Sequence, residues 1–293
     1  MPLACIHTHT NFCDGSDDIE TCCQIAHRKG LESLGFSSHA PIFRKTGIQS
    51  SWVLSEDRLA EYIESVEAAK KRWKGKLPVY LGLEVEYIPG LIGPGDKDYR
   101  EMNLDYIIAS VHYVTPQHGE PFTVDDSYEK VCKGIKEGYG SDPMGMVEAY
   151  YRAEASMIRE GGFDVLGHPD LVKKNNSGPP LNEKKLFSED ENSYKNMTSE
   201  IASLMAGTGF ISEVNTGGIN RGKIKDCYPS LAFLKLFREQ GIQMVINADA
   251  HKAEDVDGHY GEARETMLAA GYKESMLFEG RINGKAVWKS EKL

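Results

Sequence analysis

Seven short apolar runs, each closing on a residue able to bind a cation or anchor a hydrogen bond, constrain the fold of this chain more than any other feature. They read "LACIHTH", "LESLGFSSH", "PVYLGLEVE", "DYIIASVHY", "FDVLGHPD", "FISEVNTGG" and "QMVINADAH". Between them lie stretches of helical length, among them "DDIETCCQIAHRKG", "SEDRLAEYIESVEAAKKRW", residues 148–160, "NMTSEIASLMAGTG" and "SLAFLKLFREQG". In the first of these, Asp17 and Glu20 have capping-box spacing and Gly30 follows the last turn. Strands alternating with helices build βαβ units and a parallel sheet. In a parallel barrel all strand C-termini share one face, so residues remote in sequence converge there. Those residues are His7 and His9, His39, Glu84, His112, His168, Asn215, and Asp249 with His251. Six of the nine histidines stand at such ends, leaving His27, His118 and His259 elsewhere.

In "IHTHTNFCDGSDD" the first two histidines are two residues apart, and in a strand both lean toward one spot. A lone His-x-His is commonplace, but its repetition in kind at other strand ends points to metal. Imidazoles mixed with carboxylates suit Zn, Mn, Fe or Co, whereas Ca and Mg prefer oxygen alone. A tetrahedral catalytic site takes only about three protein ligands, so this set implies two or three ions. Glu84 can bridge two of them with its two oxygens, and ions ~3.5–4 Å apart can hold an activated hydroxide.

Composition narrows the partner. The chain has 293 residues, 27% of them charged, and a formal net charge of -10, which disfavours an electrostatic nucleic-acid binder. No apolar run is long enough to span a bilayer, and no signal segment opens the sequence. A cytoplasmic protein with a small-molecule substrate is expected, with no nucleic-acid or membrane partner. The six cysteines form no C-x-x-C pair and read as reduced thiols. Residues 1–293 are compatible with a single α/β domain of barrel size.

The residues that carry a family resemblance are now in view: the opening H-T-H, the lone strand-end His39, Glu84 in "LGLEVEY", His112 in "SVHY", "GHPD" and the closing "NADAH". From residue 6 to about 272 the chain resembles the polymerase and histidinol phosphatase (PHP) superfamily. "GFSSHAP", "YLGLEVEYIPG", "VLGHPDLVKK", "EVNTGGINRG" and "YPSLAFLKL" are similar, more narrowly, to PHP-type histidinol-phosphate phosphatases. The resemblance implies a distorted seven-stranded (β/α)7 TIM-like barrel with a trinuclear centre of divalent Zn, Mn or Fe ions. It assigns His7, His9, Glu84 and Asp249 to one ion, Glu84, His112 and His168 to a second, and Asp14, His39 and His251 to a third. Some family members have a histidine where this chain has Gly15, next to Asp14. Glu84, Asp249 and His251 are the expected catalytic members. The implied reaction is hydrolysis of L-histidinol phosphate in histidine biosynthesis.

Phosphate monoesters hydrolyse extremely slowly because the dianion repels nucleophiles, and metal ions relieve that repulsion without any side-chain nucleophile. Cys13, with no basic partner visible, reads as structural. The paired glycines of "NTGGINRG" would let backbone approach a ligand, and Arg221 offers a planar fork that matches phosphate oxygens. Asn215 is read either as a substrate contact or as a loop brace. The insertion "TPQHGEPFTVDDS" brings His118, Glu120, Asp125 and Asp126, read mainly as solvent surface, and the first loop brings Phe12. Rival readings are a PHP-type phosphoesterase for nucleotides or other small phosphate esters, a metal-dependent amidohydrolase, and a barrel kept only for binding.

Overall fold

In the computed structural model, which describes residues 3–176 and 185–293, the seven runs become the seven parallel strands of one sheet. They are β1 (Ala4–Cys5), β2 (Ser33–Phe36), β3 (Val79–Glu86), β4 (Tyr106–Ser110), β7 (Val165–Leu166), β8 (Ile211–Asn215) and β9 (Met244–Asn247), neighbours in that order. The ends of the sheet meet: Thr8 forms a parallel bridge with Ala250, and the His9 amide donates to the Ala250 carbonyl at 2.8 Å. The expected distorted seven-stranded barrel is therefore present. Strands β2, β4, β8 and β9 are buried along their whole length, because helices cover the outside while side chains fill the inside.

The helices are α1 (Ile19–Arg28), α2 (Leu59–Trp73), α3 (Lys97–Arg100), α4 (Tyr128–Gly138), α5 (Pro143–Glu160), α6 (Asn192–Met205), α7 (Gly217–Asn220), α8 (Leu231–Glu239) and α9 (Tyr260–Ala269). The N-cap of α1 is Asp18, which accepts from the Thr21 amide at 2.7 Å, and not Asp17. Asp17 instead accepts from the Ala253 amide at 2.9 Å. Since Ser16 also donates its amide to the His251 carbonyl, the first loop is stitched to the last. That stitching brings Asp14 beside His251. Among the described residues no helix is long and apolar enough to cross a membrane.

The lower barrel interior is apolar: Ile6, Tyr106, Ile108, Val165, Ile211 and Val245 form one buried cluster. Tyr106 crosses it, its hydroxyl 2.5 Å from the Ile6 carbonyl. Its ring fits only because Gly82 has no side chain, since a Cβ there would lie 2.4 Å from the ring. A C-terminal hairpin, β10 (Glu274–Ile282) and β11 (Lys285–Lys292), plugs this end with Met276 and Phe278. Ile282 pairs with Lys285, so Asn283-Gly284 is a two-residue turn, and both residues have positive φ as a tight hairpin demands. With the bottom sealed, access is from the C-terminal face. There a short hairpin, β5 (Tyr113–Val114) with β6 (Phe122–Thr123), carries the 115–127 insertion.

Candidate metal centre

Alternation in β3 aims Glu84 and Glu86 at the same side, into the barrel. Glu84 is 2% exposed and stands at the centre of five imidazoles. Its Oε2 lies 2.9 Å from His39 Nδ1, 3.2 Å from His7 Nε2 and 3.5 Å from His9 Nε2. Its Oε1 lies 2.8 Å from His168 Nε2 and 3.7 Å from His112 Nε2. Burial pushes this carboxyl up, but His39, His7 and His112 outweigh it and hold its pKa well below the usual carboxylate value.

Four overlapping groups have donor atoms within 4.8 Å of one another: His7, His9 and Asp249; His7, Glu84 and His168; His39, Glu84 and His112; and His9, Asp14, His39 and His251. All nine ligands expected from the sequence are thus brought together, Asp14 included. The sharing differs in detail from the expectation. His39 faces Glu84 as well as Asp14, and His9 lies 3.7 Å from Asp14 as well as 3.1 Å from Asp249.

Whether these residues fit cations is decided by their unpartnered atoms. His7 Nε2, His9 Nε2 and Glu84 Oε2 are buried and make no well-aligned hydrogen bond, although each lies within ion-pair distance of a neighbouring cage residue. Burial of polar atoms without partners is costly, and lone pairs converging on one point are what a cation satisfies. Burial, with His251 and His39 alongside, pushes His9 down to about 3, leaving it neutral as a ligand must be. The chain also tolerates positive φ at two non-glycine members of these groups, His168 (20°) and Asp249 (48°). Such backbone persists where surrounding structure enforces it, and it collects at functional sites.

Behind the ligands stand residues that the sequence reading overlooked. Glu86 accepts from His112 Nδ1 and the His112 amide, both at 2.8 Å. Glu213 accepts from His7 Nδ1 at 2.9 Å, from the His168 amide at 2.9 Å, and from Asn247 Nδ2 at 2.8 Å. Hydrogen-bonded carboxylates of this kind fix the tautomer and raise the basicity of a ligating imidazole. Asn215 sits beneath the cavity, its amide donating to Glu213 at 2.7 Å while its oxygen accepts from the Gly217 amide at 2.8 Å. Of the two readings for Asn215, these contacts are those of a brace.

Arg221 lies on the cavity wall, as a phosphate contact requires, yet it also holds the ligands. Its Nη2 donates to Asp249 Oδ2 at 3.0 Å, and its Nη1 lies 2.8 Å from His251 Nδ1. The glycines beside it serve packing: a Cβ on Gly217 would be 2.5 Å from Asp249 Oδ2, and one on Gly218 would strike Ile224.

The open cleft above the cage holds about 390 Å³ and is lined by Trp52, Asp125, Asp126, Lys130 and Lys174 besides the ligands. Trp52 lies 4.5 Å from the His39 ring and 5.3 Å from the His112 ring, forming an aromatic wall. Asp125 is tied to Lys174 at 3.1 Å, and Asn175 donates to the Asp126 carbonyl at 2.9 Å. The insertion therefore reaches the cleft through Asp125 and Asp126, contrary to a purely solvated surface, whereas His118 and Glu120 are exposed and off its lining. Phe12 is a core residue, packed 5.5 Å from Tyr62. Burial and Asp14 push the Cys13 thiol up, in line with a structural role, and all six cysteines are free.

A barrel whose C-terminal mouth gathers histidines and carboxylates around one glutamate defines a class of metal-dependent hydrolase folds, and the chain belongs to one such family, the PHP domain, whose model matches residues 6–217. It is 28% identical over 266 residues to the probable histidinol-phosphatase of Deinococcus radiodurans, covering 90% of this chain and 92% of that one. It is also 28% identical over 274 residues to the histidinol-phosphatase of Bacillus subtilis, covering 89% and 97%. A Lactococcus lactis histidinol phosphate phosphatase, solved with zinc, L-histidinol and phosphate, shares the fold with a TM-score of 0.67 at 20% identity, covering 94% of this chain and 95% of that one.

Proposed function

We propose that this chain is a histidinol-phosphatase, a metal-dependent phosphomonoesterase that hydrolyses L-histidinol phosphate to L-histidinol and phosphate in histidine biosynthesis. The observation that carries this reading is the convergence of the buried His7 Nε2 and His9 Nε2 on Glu84 Oε2 and Asp249, two carboxylates that line an open polar cleft. The names of the relatives support the substrate. We assign two to three divalent transition-metal ions, Zn, Mn or Fe, to the cage. His7, His9 and Asp249 would hold one, His112 and His168 a second, Glu84 would be shared between these, and Asp14, His39 and His251 would hold a third.

Bound there, the ions supply Lewis acidity, neutralising phosphoryl oxygens and acidifying water for attack. The chain supplies the rest. Glu84, Asp249 and Asp14 alone would repel a phosphate dianion, so their negative charge makes productive binding depend on the cations. Arg221 adds a planar cationic fork at the rim, positioned for charge-assisted bonds to phosphate. Trp52 offers a flat face to an imidazole, and Asp125 and Asp126 offer carboxylates to an ammonium. We assign these roles to one domain spanning residues 1–293, acting in the cytoplasm without nucleic-acid or membrane partners.

Steady-state phosphate release from L-histidinol phosphate, beside nucleotides and other small phosphate esters, tests the reading. L-histidinol phosphate should have the highest kcat/KM, and chelation should abolish release. Preference for a nucleotide would move the assignment to another PHP-type phosphoesterase, and hydrolysis of lactones or amides with inert phosphates would remove it.

A further inference from the structure

We propose that Glu213 is a positioning residue of the metal centre, one buried anion that orients His7 and His168 together. The inference rests on the metal-binding part of the function proposed above. Glu213 touches no cation site itself, since it belongs to none of the four ligand groups.

Its surroundings are specific for a carboxylate. Oε1 accepts from the His168 amide at 2.9 Å and from Asn215 Nδ2 at 2.7 Å. Oε2 accepts from His7 Nδ1 at 2.9 Å and from Asn247 Nδ2 at 2.8 Å. Every neighbour is a donor, and they come from the segments around β1, β7, β8 and β9. Asn247 cannot turn its amide over, because its Oδ1 already accepts from the Ile6 amide at 3.0 Å. Asn215 is held likewise by the Gly217 amide. A carboxylate at Nδ1 keeps a proton on that nitrogen, so Nε2, 3.2 Å from Glu84 and 3.8 Å from Asp249, is the nitrogen left to face an ion. It also holds the backbone of His168 at its unusual φ of 20°.

A glutamine would have the same shape but must turn an NH₂ toward one or more of these donors. Glu213→Gln should therefore weaken zinc binding by about 10–100-fold and lower the number of zinc ions retained, as loss of such a partner does at other metal sites. Zinc affinity is measured by chelator competition on the full-length protein. In zinc-loaded wild-type protein, ¹⁵N–¹H correlation spectra should show His7 protonated at Nδ1 and bound through Nε2.

Wild-type zinc affinity in Glu213→Gln would overturn the inference and leave the function standing. Ligation of His7 through Nδ1 would overturn it as well, and that readout does not depend on any variant folding. Wild-type protein that takes up none of zinc, manganese and iron would overturn both.

Discussion

Arg221 offers the sharpest single perturbation, because its guanidinium joins the substrate side of the site to the metal side. One nitrogen donates to Asp249 Oδ2 at 3.0 Å, and the other reaches the Asp249 carbonyl at 3.2 Å and His251 Nδ1 at 2.8 Å. The bond to the carboxylate is charge-assisted and is worth ~1.5–3 kcal/mol, and a bond to a bound phosphate would fall in the same range. At ~1.4 kcal/mol per factor of ten, Arg221→Ala should lower kcat/KM by about 10–100-fold with ions in excess. Since the same fork steadies Asp249, the affinity for the ion at that ligand should also fall, by about tenfold. Sequence alone reads Arg221 only as a fork for phosphate oxygens; the contacts to Asp249 and His251 add a role on the metal side. Arg221→Lys should recover only part of the loss, because an ammonium keeps the charge but cannot span both partners. The assay is phosphate release at several fixed metal concentrations. Arg221→Ala with wild-type kcat/KM and wild-type metal affinity would refute this reasoning.

Glu84→Gln should abolish turnover and lower metal content, since a neutral amide cannot bridge two cations; full activity with full metal would rule out the bridging role. His251→Ala should remove one ion of the set while the others stay, as elemental analysis would show, because His251 belongs only to the group with His9, Asp14 and His39. Loss of every ion, or of none, would contradict a separate third site. His112 is subject to burial, which lowers it, but Glu86 and Glu84 raise its pKa to about 10 in the metal-free protein. Its folded value lies above the unfolded one, so the stability it contributes is complete below about pH 6.5 and is lost as pH rises toward 10. An ion must displace that proton, so metal affinity at His112 should rise with pH by up to about tenfold per unit, and a flat profile by competition titration would contradict it. Gly82→Ala places a Cβ 2.4 Å from the Tyr106 ring. This overpacking should cost ~1–3 kcal/mol, read as a lower Tm in calorimetry.

The convergence of these nine side chains could be read from sequence because a parallel barrel turns strand ends into one surface. A histidine or a lone glutamate closing an apolar run is a strong signal in such a fold, as at His112 and Glu84. How the ligands divide among ions was not readable, because it depends on side-chain directions across strands: His39 faces both Glu84 and Asp14. Glu213 and Glu86 were hidden for a different reason, as their role exists only through partners on other strands. Parity did carry a signal, since Glu213 alternates with Ile211 on the barrel's inner side and a carboxylate there must be paired. The C-terminal hairpin lies past the end of the family resemblance, although Asn283-Gly284 between alternating apolar residues is itself a hairpin signature. Asp125 was assigned to solvent because the insertion is polar, and only its pairing with Lys174 draws it into the cleft.

The central claim is that the cage around Glu84 holds the ions that make this chain a phosphatase. It is tested most directly by stripping the protein with chelator, returning zinc or manganese stepwise, and measuring bound metal and phosphate release from L-histidinol phosphate on the same samples. The account predicts no release from the stripped protein, activity that rises with occupancy, and saturation at two to three ions per chain. Release that persists without bound ions, or full occupancy with no release from any phosphate ester, would contradict it.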